Sequence, residues 1–356
     1  MSITRRQFLA GLASSSTLGL LAHVEWAGAA EANVIGWPSR VVQLPPDDED
    51  QKPPVVTALR LHKGGQRLAT AGDDHLVRVW DLETGKLVKK LDAHADWVRT
   101  IDYSPDGRIL ASAGNDRQIV IWDAQSGAKL GIFATQQAAI AAIRFSADGK
   151  WLAAVGFDET VRLYDVATKK LVAQAAAPCQ DVRAVTFSPD DQLLAVGGRC
   201  GSIRLLSAPR GELLRDIPAH RQRIRAIAFS SDGSYVASAG EDRLIHVAPL
   251  AGTETYRLPP RPAKVLSLTF YGPQHLAVAG SDNLIRLWDV ASREEIGLLR
   301  GHTGSVAALE CQGKVLVSAG YDTTVRIWDV GDQVAGTGPG PGRVGAKPIE
   351  SLPRTR

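Results

Sequence analysis

The chain has 356 residues, of which 44% are hydrophobic and 34 are glycine, and its formal net charge is only +3. That apolar content suffices for a sizeable core, while the even charge balance argues against a groove gripping many nucleic-acid phosphates, which needs a locally basic surface. Three cysteines are too few for a disulfide-dense scaffold and form no metal-type cluster.

In chain order, the first thirty residues stand apart. Arg5-Arg6 is followed by Gln7-Phe8-Leu9, a small-residue apolar stretch to about Leu21, and an Ala-x-Ala site at Ala27-Gly28-Ala29. A charged start, a short apolar stretch and a cleavage site are the anatomy of an export signal. The apolar stretch falls short of the roughly 20 residues a membrane span needs. The paired arginines with Gln-Phe-Leu resemble the bacterial twin-arginine signal, a receptor-read address rather than an anchor. The expectation is a signal peptide over residues 1–29, a bacterial protein exported to the periplasm, and no integral membrane segment once the signal is removed.

Residues 30–51 read as a linker containing Pro38, Pro45, Pro46 and the run Asp47-Asp48-Glu49-Asp50, which lacks calcium-loop spacing and reads as solvated. One short strand interrupts it at about residues 40–44, Arg40-Val41-Val42-Gln43-Leu44. Beyond it, a Gly sits eight residues ahead of a Trp or its degenerate copy seven times, at Gly72, Gly114, Gly156, Gly198, Gly240, Gly280 and Gly320. A period of about 40 residues with this content marks a propeller blade. Within one repeat, Val98 to Tyr103, Arg108 to Gly114, Gln118 to Asp123 and the run after Ser126-Gly127 are short apolar segments bounded by turn residues, hence four antiparallel strands. The turn Pro105-Asp106-Gly107 recurs as Ala147-Asp148-Gly149, Pro189-Asp190-Asp191 and Ser231-Asp232-Gly233. A lone four-stranded sheet of this kind has two apolar faces, and radial stacking buries both. The prediction is an all-β, seven-bladed propeller of four-stranded antiparallel blades over residues 52–330. The Gly/Pro-rich tail, 331–356, lacks the apolar content to offset its ordering entropy and reads as disordered.

On these residues the chain resembles the WD-repeat family of β-propellers over essentially residues 40 to 330. The resemblance implies a hydrogen-bonded tetrad of His, Ser or Thr, Asp and Trp in each intact blade. His94, Ser112, Asp116 and Trp122 fill all four places in the second blade, and His302, Ser318, Asp322 and Trp328 in the seventh. Other blades are degraded. The first has Thr70, Asp74 and Trp80 with Lys52 in the His place; the third has Gln136, Ala154, Asp158 and Tyr164. The fifth has His220, Ser238 and Asp242 with Ala248, and the sixth has Asp282 and Trp288 with Arg261 and Val278. A hydrolase triad of Ser112, His94 and Asp116 is set aside, because the same spacing recurs at a fixed period and ends on a Trp. The family closes its ring with an N-terminal strand, which assigns residues 40–44 to the outer edge of the last blade.

In the fourth blade Pro178, Val196, Cys200 and Leu206 fill the tetrad places, with Cys200 at the Asp place and Cys179 one residue after the His place. Those places touch in intact blades, so a Cys179–Cys200 disulfide is expected, its loop contributing about 3 kcal/mol. Cys311 reads as a core residue.

The resemblance also implies protein or peptide binding on the face carrying the loop before each inner strand and the turn before each tetrad Asp. Trp97, Phe157, Arg199, Arg223 and Tyr321 form the candidate interface there, because exposed aromatics and arginines anchor interfaces. Arg183 and Arg225 alternate with Val182 and Ile224, an arrangement that points them into the central channel, where they would hold a water or an anion.

Chemistry finds little support. There is no Cys-x-x-Cys-His, the single Met is the initiator, the eight histidines form no ligand pattern, and no phosphate-cradling Gly loop occurs. The sequence therefore reads as a non-catalytic, exported interaction scaffold. It carries no catalytic residue, cofactor or metal site, is monomeric by itself, and binds an unidentified protein or peptide but no nucleic acid. The alternative is a periplasmic propeller enzyme or electron-transfer accessory with an unrecognised site on the same face.

Overall fold

The computed structural model describes residues 39–43 and 54–331. The expected signal over 1–29, the rest of the linker with Lys52, and the tail after Gly331 lie outside the described residues.

The described residues form 28 strands in seven four-stranded antiparallel sheets, and no helix occurs among them. Each blade runs from an inner strand outward, as in Val98–Tyr103, Ile109–Gly114, Gln118–Asp123 and Lys129–Thr135. The second strand of each blade is buried on both faces: Leu110, Ala111, Ser112 and Ala113 are all fully covered. The outermost strand, such as Leu87–Asp92, buries mainly one side chain, Leu91, and leaves the rest half or fully exposed.

Seven apolar clusters fill the seven gaps between neighbouring sheets. Between the first two blades, Ala69, Val77 and Val79 meet Val98, Ile101, Leu110 and Trp122. Each fully buried Val, Leu or Ile contributes about 1.5–3 kcal/mol relative to exposure. The core is thus a ring of equivalent interfaces rather than one central mass.

The last blade takes its outer strand from near the N-terminus: Ser39–Gln43 pairs antiparallel with Thr324–Asp329, Val42 facing Val325 across the ladder. Val42 is buried among Val56, Leu59, Trp80 and Val317, so the first and last blades share one core.

The seven periodic glycines answer to a close backbone approach. A Cβ on Gly114 would lie 1.9 Å from the Trp97 carbonyl oxygen, and the corresponding distance is at most 2.4 Å at all seven positions. In the second to seventh blades the amide after the Gly then donates to that same carbonyl, as Asn115 does to Trp97 at 3.0 Å and Tyr321 to Ser305 at 2.9 Å. This contact fixes the loop before the inner strand against the turn before the tetrad Asp, and so builds the face on which the candidate interface sits.

Candidate protein-interaction site

In the second blade a chain of donors runs inward from the core. Trp122 Nε1–H donates to Ser112 Oγ at 2.8 Å, Ser112 Oγ–H meets His94 Nε2 at 2.7 Å, and His94 Nδ1–H donates to Asp116 Oδ2 at 2.7 Å. Burial pushes the His94 pKa down, against the attraction of Asp116, which suits a neutral ring accepting from Ser112. The seventh blade repeats the arrangement through Trp328, Ser318, His302 and Asp322 at 2.9, 2.7 and 2.8 Å. Burial raises the Asp322 pKa, but the hydrogen bond and charge of His302 and the Thr303 amide outweigh it and hold the carboxyl well below its usual range. Every polar group in these chains has its partner within the blade, and none is presented to a substrate. They brace the turns of the loop-bearing face.

Where the His is missing, the structure uses a device the sequence analysis passed over. Asp74, Asp158 and Asp282 each pair with an arginine four residues on, Arg78 at 2.5 Å, Arg162 at 2.6 Å, and Arg286. The signal was present as Asp-x-x-x-Arg spanning the turn and the third strand. In the sixth blade Arg261, at the His place, lies 5.7 Å from the Trp288 ring centroid.

The expected Cys179–Cys200 disulfide is not formed: both cysteines are free thiols. The places do touch, but the contact is the Cys200 amide donating to Cys179 Sγ at 3.1 Å. With no carboxylate in that turn, the thiol sulfur takes the role of acceptor. Burial, followed by the hydrogen bond to Cys200, pushes the Cys179 pKa up to about 11. Cys311 is half-buried against the cluster between the sixth and seventh blades.

The inner strands enclose a central channel of about 520 Å³. Midway along it, Arg60 bridges Asp102 at 2.9 Å and Glu310 at 2.6 Å. Burial lifts the Asp102 pKa to about 6 against the pull of Arg60, and lifts that of Glu310 as well. At the loop-bearing end the second residue of every inner strand points inward: Thr57, Arg99, Ala141, Arg183, Arg225, Leu266 and Ala307, joined by Tyr321 around a mouth of about 190 Å³. Arg183 and Arg225 thus line the channel, and Arg99, not singled out from sequence, joins them from the same register position.

The candidate interface residues do not form one continuous patch. Trp97 and Phe157 are brought together by Arg99, whose guanidinium carbon lies 5.9 and 5.1 Å from their ring centroids; Arg183 covers Phe157 from 4.1 Å. Arg223 is half-buried between Asp181 at 2.8 Å and Glu241 at 3.1 Å. Tyr321 stands exposed at the mouth, and Arg199 is exposed with no hydrogen bond or ion pair to the others.

Four of the seven repeats match the WD domain, G-beta repeat, family. The matched residues are 49–81, 85–123, 252–289 and 293–329. Residues 113–247 match the Cytochrome D1 heme domain. Among curated relatives, the chain is 50% identical over 44 residues to Nuclear distribution protein PAC1 of Coccidioides posadasii (strain C735), covering 12% of this chain and 9% of that protein. It is 44% identical over 54 residues to Mitochondrial division protein 1 of Mycosarcoma maydis, covering 15% and 7%, respectively. To Nuclear distribution protein PAC1-1 of Uncinocarpus reesii (strain UAMH 1704) it is 47% identical over 53 residues, covering 14% and 12%. The matches therefore span about a tenth of the length of these relatives.

These relatives correct one expectation. The bacterial twin-arginine signal, the export and the periplasmic home read from Arg5-Arg6 and Ala27-Gly28-Ala29 do not stand, because the relatives found are fungal proteins named for nuclear distribution and mitochondrial division. A start of that composition is a short-range pattern and does not by itself fix a destination. No helix among the described residues is long and apolar enough to cross a membrane.

The heme-domain match raises the question of a haem. Haem iron takes His, Cys, Met or Tyr as its axial ligand. No His, Cys or Met lines the channel, and the Tyr103 hydroxyl there has its pKa pushed up by burial, which disfavours a phenolate. Of the histidines within the matched stretch, His220 is engaged by Asp242 and Ser238, and His246 is buried beside it in the fifth blade. Neither the channel lining nor these two histidines fit the group. Nor does any cluster of three or more His, Cys, Asp or Glu suited to a metal occur among the described residues.

Proposed function

We propose that this propeller, residues 52–330, is a non-catalytic scaffold that binds a protein or peptide on its loop-bearing face, with Trp97 and Tyr321 as apolar anchors and Arg223 beside them. The observation that carries this reading is exposure: Trp97 and Tyr321 are 46% and 51% exposed beside a mouth where guanidinium groups converge. Large aromatics and arginines around a concave centre are the usual composition of an interface hot spot. Phe157, clamped between two arginines, supports the rim from below, and Arg199 extends it.

The test is capture of a partner from an extract of the source cells on the immobilised chain, followed by affinity measurement with the purified pair. Trp97→Ala or Tyr321→Ala should cost at least about 2 kcal/mol of binding with an unchanged melting temperature. A partner whose affinity ignores both substitutions would move the contact to another surface.

A further inference from the structure

Arg99, Arg183 and Arg225 occupy one register position on three inner strands and converge on the mouth of the channel. Their surroundings differ. Arg183 pairs with Asp181, and Arg225 reaches Glu241 at 3.5 Å, a carboxylate it shares with Arg223. Arg99 has no carboxylate partner; its Nε–H donates to the amide oxygen of Asn115, whose Nδ2–H in turn reaches Asp96 at 3.3 Å. Burial lowers the Arg99 pKa, and the nearby charges of Arg183 and Arg225 lower it further, so like charges are held together there. An anion placed among them would relieve that repulsion and complete the guanidinium forks.

Resting on the reading of this face as the partner-binding one, we propose that the channel mouth is an anion-anchoring pocket for an acidic peptide segment, with an Asp or Glu carboxylate of the partner seated among Arg99, Arg183 and Arg225. Four guanidiniums, those three and Arg223, face three carboxylates, Asp96, Asp181 and Glu241, leaving an excess of one positive charge. One carboxylate neutralises that excess; a doubly charged phosphate would overshoot it. The exposed rings of Trp97 and Tyr321 flank the pocket and suit the apolar neighbours of such an anchor in an extended peptide. Acidic residues further along the segment would meet exposed Arg199 and Arg221.

The experiment titrates octa-L-glutamate against the full chain by calorimetry, with octa-L-lysine and inorganic phosphate as separate probes. Arg99→Gln leaves no carboxylate orphaned and is the principal variant; Arg183→Gln is the second, and Arg108→Gln, in an exposed turn at the opposite end of the inner strand, is the control. The expected result is octaglutamate binding that weakens with added salt and falls at least tenfold in Arg99→Gln but not in Arg108→Gln. Octalysine should not bind, and phosphate should compete only weakly. Absence of octaglutamate binding, equal affinity in Arg99→Gln and the control, or phosphate displacing the peptide at comparable concentration would each overturn the proposal. Its failure is separable from that of the face itself. If Trp97→Ala abolishes partner capture while octaglutamate does not bind, only the anionic anchor falls. If octaglutamate binds through Arg99 while the captured partner ignores Trp97 and Tyr321, the face reading falls instead.

Discussion

His246 occupies the place that Val120 fills in the second blade, each facing the tetrad serine across the ladder. It is buried 6.2 Å from the His220 ring, and burial, aided by the charges of His220 and Arg257, pushes its pKa down to about 4. The unfolded chain binds that proton near pH 6.5, so below this value the unfolded state gains a proton the native state refuses. Stability is therefore full above about pH 6.5 and declines as the pH falls toward about 4, by at most about 1.4 kcal/mol per pH unit for this one group. His246→Val, borrowing the residue of the second blade, should flatten that decline in urea titrations between those limits, leaving the smaller share of His94 and His220. An unchanged slope would mean that His246 is already protonated in the native state. At this scale the sequence was legible where a residue repeats at a fixed place, as His94 and His302 do. It was not legible where a different residue solves the same problem. The arginines at 78, 162 and 286 replace the absent His of their blades through a pairing that depends on how the third strand passes the turn.

At the scale of the element, the periodic glycine is tightly constrained in every blade. Its Cβ would collide with backbone rather than with a flexible side chain. Gly114→Ala must therefore push the Trp97 loop away from its turn, and should cost about 1–3 kcal/mol, as overpacking does. The same change at Gly131, whose Cβ would meet nothing within 4 Å but whose φ is +136°, tests backbone strain without collision. Thermal melts of the two variants distinguish the causes. If Gly114→Ala melts like the parent, the loop has room to shift and the close approach is not what the glycine secures. Because this contact also positions Trp97, the Gly114→Ala variant should lose partner affinity out of proportion to its loss of stability. The outer strands show the opposite freedom: Leu130, Ile132, Leu213 and Leu214 are exposed, so local sequence there reflects strand propensity more than packing.

Across the whole molecule, closure of the ring is the feature that no single repeat encodes. The strand Ser39–Gln43 supplies the fourth strand of the seventh sheet and plugs the gap between the first and last blades with Val42. Val42→Ala should lower stability by about 2 kcal/mol through lost burial and the remaining cavity. Val41→Ala, on the exposed face of the same strand, should stay within about 0.5 kcal/mol. Equal costs in denaturant melts would show that the strand does not hold the register seen here. An open ring would also expose the edge of the seventh sheet, so aggregation on heating should rise with Val42→Ala first.

The sequence by itself determined the architecture. Turn residues, short apolar runs and a Gly forced by backbone contact are local requirements, and a period of about 40 residues repeats them until only radial stacking can bury both faces of each sheet. The candidate interface was legible only in part, as aromatics on named loops. Tertiary structure decided the rest, for a geometric reason. Arg99, Arg183 and Arg225 are separated by one to three whole repeats in the chain, and they meet only because closing the ring turns equal register positions into neighbours around a single channel. Within the fourth blade, folding set the two cysteines in contact through an amide rather than a bond, a distinction of orientation that spacing along a chain does not carry.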